Sequence, residues 1–368
     1  MSPLSSLEQA FVNSVANDRL QLIILPTEKC NFRCVYCYED FSVGRMPDGV
    51  VSALKLLLST RAPSLNKLVL TWFGGEPLLA ESVLETISLH VLDLCKTFPN
   101  LDYSASVTTN GYTLDLDRLS RLVSWGIRDY QISLDGPREH HDRTRIRANG
   151  KGSFDVIRNN LLAFRNSDID ARVMLRLHIT PDNLDVMPDF VAELRDTFLV
   201  DSRFSILFMP VAKLGGPNDA RFDVLNHSET LNIIRGLMAI ARAYHDDQNR
   251  SAMPCAPSEQ DVCYASKPNS FVIRADGRLA KCTVGFDAPS NQIGKLSPDG
   301  TLELHHDRLK EWFAGWRTQD WGHLSCPKEA FFDREIETDR EIPAETTLVN
   351  IIPRTSSQRD TGVYGDRR

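Results

Sequence analysis

The chain reads as an α/β protein with a parallel sheet, and three observations predict it. Between residues 20 and 247, six short apolar runs alternate with six amphipathic helical stretches. The runs are rich in Val, Ile and Leu, as strands are when helices cover a parallel sheet. The residues least suited to a core (cysteines, a glycine pair, single acids) stand just after the runs. Parallel α/β barrels keep their sites there, at the C-terminal ends of strands. Six repeats fit a barrel better than an open, doubly wound sheet.

The first strand is expected at residues 20–25 (LQLIIL), closed by Pro26. Cys30, Cys34 and Cys37 follow it, spaced C-x3-C-x2-C, with Tyr36 just before the third. Soft thiolates crowded on one loop suit zinc or an iron–sulfur cluster. A structural tetrahedral site is closed by four protein ligands, whereas a catalytic metal keeps one position open. Three ligands therefore indicate a reaction centre. The plainer alternatives are a zinc knuckle with a distant fourth ligand, or three buried cysteines.

A helix is expected at 48–61 and a second strand at 67–73, followed by Gly74-Gly75-Glu76-Pro77 and a helix at 79–97. The glycines let the backbone approach a ligand and Glu76 can accept from an ammonium group, although a turn and helix start use the same residues. The third strand, 103–108, leads to Thr109-Asn110-Gly111, which also suits a plain Asn-Gly turn. After a helix at 115–125, the fourth strand (129–134) ends in Ser133-Leu134-Asp135-Gly136. Alternation points Ser133 and Asp135 the same way, a hydroxyl and a carboxylate suited to ribose, unless Asp135 caps the turn. A polar stretch through His140-His141-Asp142 ends in Gly152-Ser153-Phe154, where Ser153 is the expected cap of a helix at 154–166. On the fifth strand, 171–179, Arg176 and His178 share a face, and a charge inside such a strand needs a partner. A helix at 185–198, a strand at 204–209 and a helix at 229–247 complete the repeats.

Composition sets the outer bounds. The 368 residues suffice for one large domain with an appendage, or for two domains. Hydrophobic and charged fractions of 42% and 25% are those of an ordinary soluble globular protein. A net charge of −7 with no basic run speaks against nucleic acid as a partner. No signal peptide or membrane-length apolar run is visible. Eight cysteines in such a chain read as metal ligands in a reducing cytoplasm rather than as disulfides.

The cysteine spacing, Tyr36 and Gly74-Gly75-Glu76-Pro77 together resemble the radical S-adenosylmethionine (radical SAM) enzymes, over roughly residues 20–325. The resemblance implies a partial (β/α)6 barrel of the TIM type. It implies that Cys30, Cys34 and Cys37 hold a [4Fe–4S] cluster whose open iron S-adenosylmethionine (SAM) chelates. One electron then cleaves SAM, and the 5′-deoxyadenosyl radical takes a hydrogen atom from the substrate. By the same resemblance Tyr36 lies at the cofactor, and Gly74, Gly75, Glu76 and Pro77 bind the SAM amino group. Thr109 and Asn110 lie beside its ribose or carboxylate, Ser133 and Asp135 at the ribose. Arg176 meets the carboxylate or forms an ordinary buried ion pair, and Asn183 touches adenine. The stretch from Gly136 to Phe154 resembles one common in peptide-modifying members, which makes His141-Asp142 loop architecture rather than a metal site.

Cysteine returns at 255, 263, 282 and 326. Two strand-like runs around Asp276-Gly277 signal a hairpin that delivers Cys282 towards Cys255 and Cys263. The spacing from Cys263 through Gly277 to Cys282, with Ile293-Gly294-Lys295-Leu296 beyond, resembles the opening of a SPASM or twitch domain, which holds auxiliary [4Fe–4S] clusters. The full array of such domains is missing, because no cysteine follows Cys326. One auxiliary cluster is expected, on Cys255, Cys263 and Cys282, with Cys326 a fourth ligand or the C-terminus truncated. Zinc is the plainer alternative, and Cys95 reads as core.

The expected organisation is an N-terminal segment (1–19), a radical SAM partial barrel (20–248), a SPASM/twitch-like auxiliary cluster domain (249–330) and a weakly ordered polar tail (331–368). The expected function is oxidative modification, most simply carbon–carbon or thioether cross-linking, of a ribosomally made precursor peptide. An electron donor such as flavodoxin or ferredoxin would serve it. The N-terminal segment is expected to be too short for a fused leader-peptide recognition domain, so the precursor binds the barrel mouth or a separate protein presents it. The alternatives are formylglycine formation of the sulfatase-maturation type, a small-molecule substrate, or a non-catalytic iron–sulfur scaffold. Formylglycine-forming enzymes usually carry Asp where this chain has Thr283, which counts against the first.

Overall fold

A computed structural model describes residues 6–242, 262–330 and 346–349. Six parallel strands succeed one another in chain order: β1 (Arg19–Ile24), β2 (Lys67–Trp72), β3 (Asp102–Thr109), β4 (Ile127–Leu134), β5 (Arg172–Ile179) and β6 (Phe204–Pro210). The crossovers carry α2 (Asp48–Arg61), α3 (Glu81–Thr97), α4 (Leu116–Ser124), α6 (Phe154–Arg165) and α7 (Met187–Leu194), and α8 (His227–Arg242) follows β6. Each expected repeat is present, with ends shifted by a few residues. Among the described residues β6 pairs with β5 alone, so the wall stays open and the barrel is partial. This is the α/β partial-barrel class that the alternation implies.

The strands are amphipathic rather than apolar on both faces. On β2, Leu68, Leu70 and Trp72 are buried against the helices, while Val69 and Thr71 on the other face are only half-buried. That inner face continues through Ser106, Thr108, Gln131 and Arg176, linked by Ser106 Oγ–Thr71 Oγ1 (3.1 Å) and Gln131 Nε2–Thr108 Oγ1 (3.4 Å) contacts. A barrel filled by its own core would carry Val, Ile and Leu at these positions. Here the lumen is polar.

Two elements lie outside the expected repeats. α1 (Ser6–Val15) sets Phe11 4.7 Å from the ring of Trp316, and α5 (Arg138–Thr144) is a seven-residue helix around buried His141. The Leu7, Phe11 and Val15 spacing of α1 is helical in hindsight.

The C-terminal segment extends the same sheet. β7 (Ser270–Ile273) pairs in parallel with β1, and β8 (Arg278–Ala280), β9 (Gly294–Leu296) and β10 (Leu302–His305) follow antiparallel. The expected hairpin is β7–β8, and Gly277 at its turn has φ +88°. Beyond it run α9 (His306–Trp312), α10 (Ala314–Thr318) and α11 (Trp321–Ser325). Within the expected polar tail, β11 (Thr346–Val349) pairs antiparallel with β10, while 331–345 and 350–368 lie outside the described residues.

The hairpin is anchored twice. Ile23 and Leu25 of the β1 end pack with Val272, Ala280 and Phe286 in a small separate cluster. Beside it, Arg274 grips the fully buried Glu28 through Nη2–Oε2 (2.6 Å) and Nε–Oε1 (3.0 Å) contacts. Removing one partner of a buried ion pair leaves the other charge uncompensated, at a cost of about 3–5 kcal/mol. Arg274→Met is accordingly expected to lower unfolding free energy by about that amount in urea. A loss below about 1 kcal/mol would show that the pair does not anchor the hairpin.

Candidate active site at the cysteine loop

The loop after β1 carries Cys30, Cys34 and Cys37 at the C-terminal edge of the sheet. Burial pushes the Cys30 and Cys37 thiols up to about 12, against amide donors from Phe32 and Glu39 respectively. Burial also raises Cys34, although the Arg145 guanidinium beside it opposes the shift. Such thiols stay protonated at neutral pH unless a metal displaces their protons, which is how thiolate ligands are made. Three thiols on one loop can each take a separate iron of a cube. Among the described residues, no three His, Cys, Asp or Glu groups converge tightly enough for a single metal ion.

Gly74 and Gly75 owe their identity to the chain itself. A Cβ on Gly74 (φ +119°) would stand 2.4 Å from the Thr27 carbonyl oxygen, and one on Gly75 2.4 Å from that of Lys29. The approach that the glycines permit is to the strand end leading into the cysteine loop. The Glu76 carboxylate is fully buried and accepts from Leu78 N (3.1 Å), Thr109 Oγ1 (2.7 Å) and Asn110 N (2.7 Å). Burial raises its pKa even so, with those donors opposing. Asn110 Nδ2 in turn donates to Asn31 Oδ1 at 2.8 Å. Pro77 starts the 3-10 turn after Glu76. Glu76, Thr109, Asn110 and the cysteine loop thus form one connected unit.

A second hub surrounds Asp135. Its carboxylate accepts from Tyr36 Oη (2.7 Å) and Thr144 Oγ1 (2.6 Å), and lies 3.0 Å from His178 Nδ1. Arg145 Nη1 donates to Tyr36 Oη at 2.9 Å. Burial penalises the Asp135 charge, but the His178 bond and the Arg145 guanidinium outweigh it and hold its carboxyl well below the usual range. Tyr36 is therefore bolted to the ends of β4 and β5. Asn183 Nδ2 closes the hub by donating to the carbonyls of Asp135 and His178, both at 2.9 Å. Arg145, which donates to Tyr36, lies within the stretch from Gly136 to Phe154 but is given no role of its own by the sequence.

Ser133 and Arg176 pair across β4 and β5 and are left over. Among the described residues neither side chain has a hydrogen-bond partner, and the buried Arg176 Nε is an orphan donor. Burial lowers the Arg176 pKa, with Tyr38, Tyr36 and Asp135 opposing the shift. The expected alternative of an ordinary buried ion pair for Arg176 is not what the described residues form. An anionic group in the lumen would complete it.

The polar stretch is architecture, with one change of roles. Asp142, not Ser153, caps α6, accepting from Ser153 N (2.7 Å) and Phe154 N (2.9 Å). Gly152 makes room, since a Cβ there would meet Asp142 Oδ2 at 2.3 Å. The Ser153 hydroxyl turns instead to His141 Nε2 (3.0 Å) and the Arg145 carbonyl (3.1 Å).

Near the hairpin, Tyr264, the neighbour of Cys263, sets its Oη 3.9 Å from Cys282 Sγ, and burial raises both thiols. Cys263 N donates to the Leu324 carbonyl at 2.9 Å, which sets Cys326 two residues from that contact. Buried Asn291 holds the Cys282 loop through bonds with the amides of Lys281 and Cys282 (both 3.0 Å) and the carbonyls of Cys282 and Val284 (both 2.9 Å). Thr283, where a base would be sought, spends its hydroxyl on Tyr264 Oη at 3.0 Å. Cys255 lies outside the described residues. Cys95, on α3, is half-buried against the core.

Burial lowers both His141 and His178 to about 4. An unfolded imidazole takes its proton below about pH 6.5, so protonation there favours the unfolded chain. Each ring's neutral burial is thus a stability contribution present above about pH 6.5 and lost as pH falls towards 4. The gap in urea midpoint between wild type and His141→Asn is expected to narrow over that window; a constant gap would contradict it.

Comparison with known proteins places this geometry. Residues 24–194 match the model of the Radical SAM superfamily. A GTP 3′,8-cyclase of Stenotrophomonas maltophilia is 27% identical over 330 residues, 83% of this chain and 90% of that protein. A solved structure of native anSMEcpe with bound AdoMet superposes with a TM-score of 0.60 at 20% identity, over 79% of this chain and 80% of the other. Streptococcus suis SuiB bound to precursor peptide SuiA gives 0.55 at 12% identity, over 84% and 69%. The fold is shared with these last two. Residues 24–194 thus carry a radical SAM domain, and members of that superfamily are enzymes that use a [4Fe–4S] cluster and S-adenosylmethionine.

Proposed function

We propose that this enzyme is a maturase that oxidatively cross-links side chains of a ribosomally made precursor peptide, through carbon–carbon or thioether bonds. The observation that carries the reading is a second pair of cysteines: Tyr264, next to Cys263, brings its hydroxyl to Thr283 (3.0 Å) and to 3.9 Å from Cys282 Sγ, and Asn291 holds the Cys282 loop. Joining two side chains removes two hydrogens and two electrons. The SAM-derived radical takes one hydrogen with its electron; the second hydrogen leaves as a proton to solvent, and its electron passes to a second redox centre. We assign to Cys263 and Cys282, with Cys255 and Cys326, the ligation of that auxiliary [4Fe–4S] cluster.

With Cys30, Cys34 and Cys37 as ligands, a [4Fe–4S] cluster and SAM would supply one-electron cleavage and a radical able to take hydrogen from an unactivated C–H bond. We assign the chain's own groups around that chemistry as follows. Arg176 offers its orphan guanidinium to the SAM carboxylate, and Ser133 its free hydroxyl to the ribose. Gly74, Gly75 and Pro77 present backbone at the amino group, while Glu76 positions Thr109 and Asn110. Tyr36 and Asp135 are positioning residues, because their polar atoms are bound to each other. The polar lumen from Thr71 to Gln131 receives the peptide.

The reading includes a flavodoxin or ferredoxin as electron donor, a separate leader-recognition protein and a cytoplasmic setting; no helix among the described residues is long and apolar enough to cross a membrane. The structure of SuiB with its precursor peptide, alike in fold, supports a peptide substrate. A second reading, a small-molecule substrate, is favoured by the likeness to GTP 3′,8-cyclase over 83% of the chain.

Two measurements test this. Anaerobically reconstituted protein is expected to bind roughly 8 irons per chain, against roughly 4 if the hairpin holds no cluster. Co-expression with a short peptide encoded beside the gene is expected to lower its mass by paired hydrogens, and Cys34→Ala to abolish that loss. An unchanged peptide, with GTP or another small molecule consumed alongside SAM, would establish the second reading.

A further inference from the structure

The outer flank of the cysteine loop is basic on an acidic chain. Residues 29–33 and 143–151 run side by side, with Arg33 N donating to the Ile146 carbonyl (2.6 Å), Val35 N to that of Thr144 (2.9 Å) and Ala148 N to that of Asn31 (2.8 Å). Phe32 and Arg147 form an antiparallel bridge between them. These two segments contain six cations, Lys29, Arg33, Arg143, Arg145, Arg147 and Lys151, and no acid, although the chain carries a net −7. Arg145 points inward to Tyr36. Of the others, Lys29, Arg33, Arg143 and Lys151 are exposed and Arg147 is half-buried, and none is in an ion pair among the described residues.

The flank is continuous with the cysteines. Arg33 Nη1 donates to the Cys30 carbonyl at 2.9 Å, and its guanidinium lies 4.4 Å over the Phe41 ring. Lys29 Nζ donates to the Phe41 carbonyl, and Arg147 stacks 4.2 Å over Tyr112. We propose that this flank is the docking surface of an acidic one-electron carrier protein that reduces the centre at Cys30, Cys34 and Cys37. The inference rests on the radical reading above and deepens it. One-electron transfer weakens steeply with distance, so a carrier must bring its own centre to the surface nearest the cysteines. Redox encounters are small and transient, and are steered by charge more than by apolar burial. A patch of unpaired cations suits that mode. A substrate must instead reach the lumen, whose lining these residues do not supply.

The test uses the reconstituted full chain, a reduced acidic flavodoxin as probe, and the double variant Arg143→Glu/Lys151→Glu. Calorimetry at low salt is expected to show weaker binding of oxidised flavodoxin. Flavodoxin-driven SAM cleavage is expected to fall about tenfold or more, while dithionite-driven cleavage stays at the wild-type rate. The difference should shrink towards 1 M salt, where screening acts over about 3 Å, and Arg143→Gln/Lys151→Gln should lie between. Unchanged binding and unchanged flavodoxin-driven rate would overturn the proposal. So would loss of peptide affinity with the flavodoxin-driven rate intact, which would make the flank a peptide site. If wild type cleaves SAM with neither reductant, the functional reading itself falls, and the docking proposal with it.

Discussion

Buried carboxylates hold the working edge of this molecule together. Strand ends must send irregular loops to one rim, and loops cannot satisfy their polar groups by ladder bonding. Glu28 secures the hairpin through Arg274, Glu76 ties the β2 loop to Thr109 and Asn110, and Asp135 fastens Tyr36 to the ends of β4 and β5. Half-buried Asp142 does the same for the start of α6. Each is charged or polar inside the protein, where an unmet partner is costly, so each loop has one favoured arrangement. The three thiols inherit their rigidity from these contacts.

What remains unpaired is informative for the same reason. On the cysteine loop the buried Glu39 Oε1 has no partner among the described residues, and on the sheet neither the Arg176 Nε donor nor the Ser133 hydroxyl has one. Arg176 and Ser133 share the polar inner face of the sheet with Thr71, Ser106 and Gln131. An enclosed apolar barrel would be more stable and could admit nothing.

Much of this was legible in the sequence, because local periodicity and turn chemistry decide strands, crossover helices and the β7–β8 hairpin. The shared face of Ser133 with Asp135, and of Arg176 with His178, followed from strand alternation alone. What periodicity cannot show is which side chains meet across the fold. Arg145 sits between Tyr36 and Cys34 through contacts more than a hundred residues apart in the chain. The exchange of roles between Asp142 and Ser153 depends on the room that Gly152 leaves, and the polar lumen on which strand face the helices cover. Short α1 and α5 escaped notice because their stability comes from packing rather than from length.

The pairing of β7 with β1 has a consequence for anyone recombining this chain with its relatives. The C-terminal segment is not a bead on a tether: it is the next strand of the same sheet, keyed to residue 28 by residue 274. A chimera joined in the stretch before β7 inherits that lock whether or not the junction respects it. A transplanted segment without an arginine at the equivalent place would strand a carboxylate at the root of the cysteine loop. Its iron chemistry would then suffer for a reason that lies in neither cysteine set.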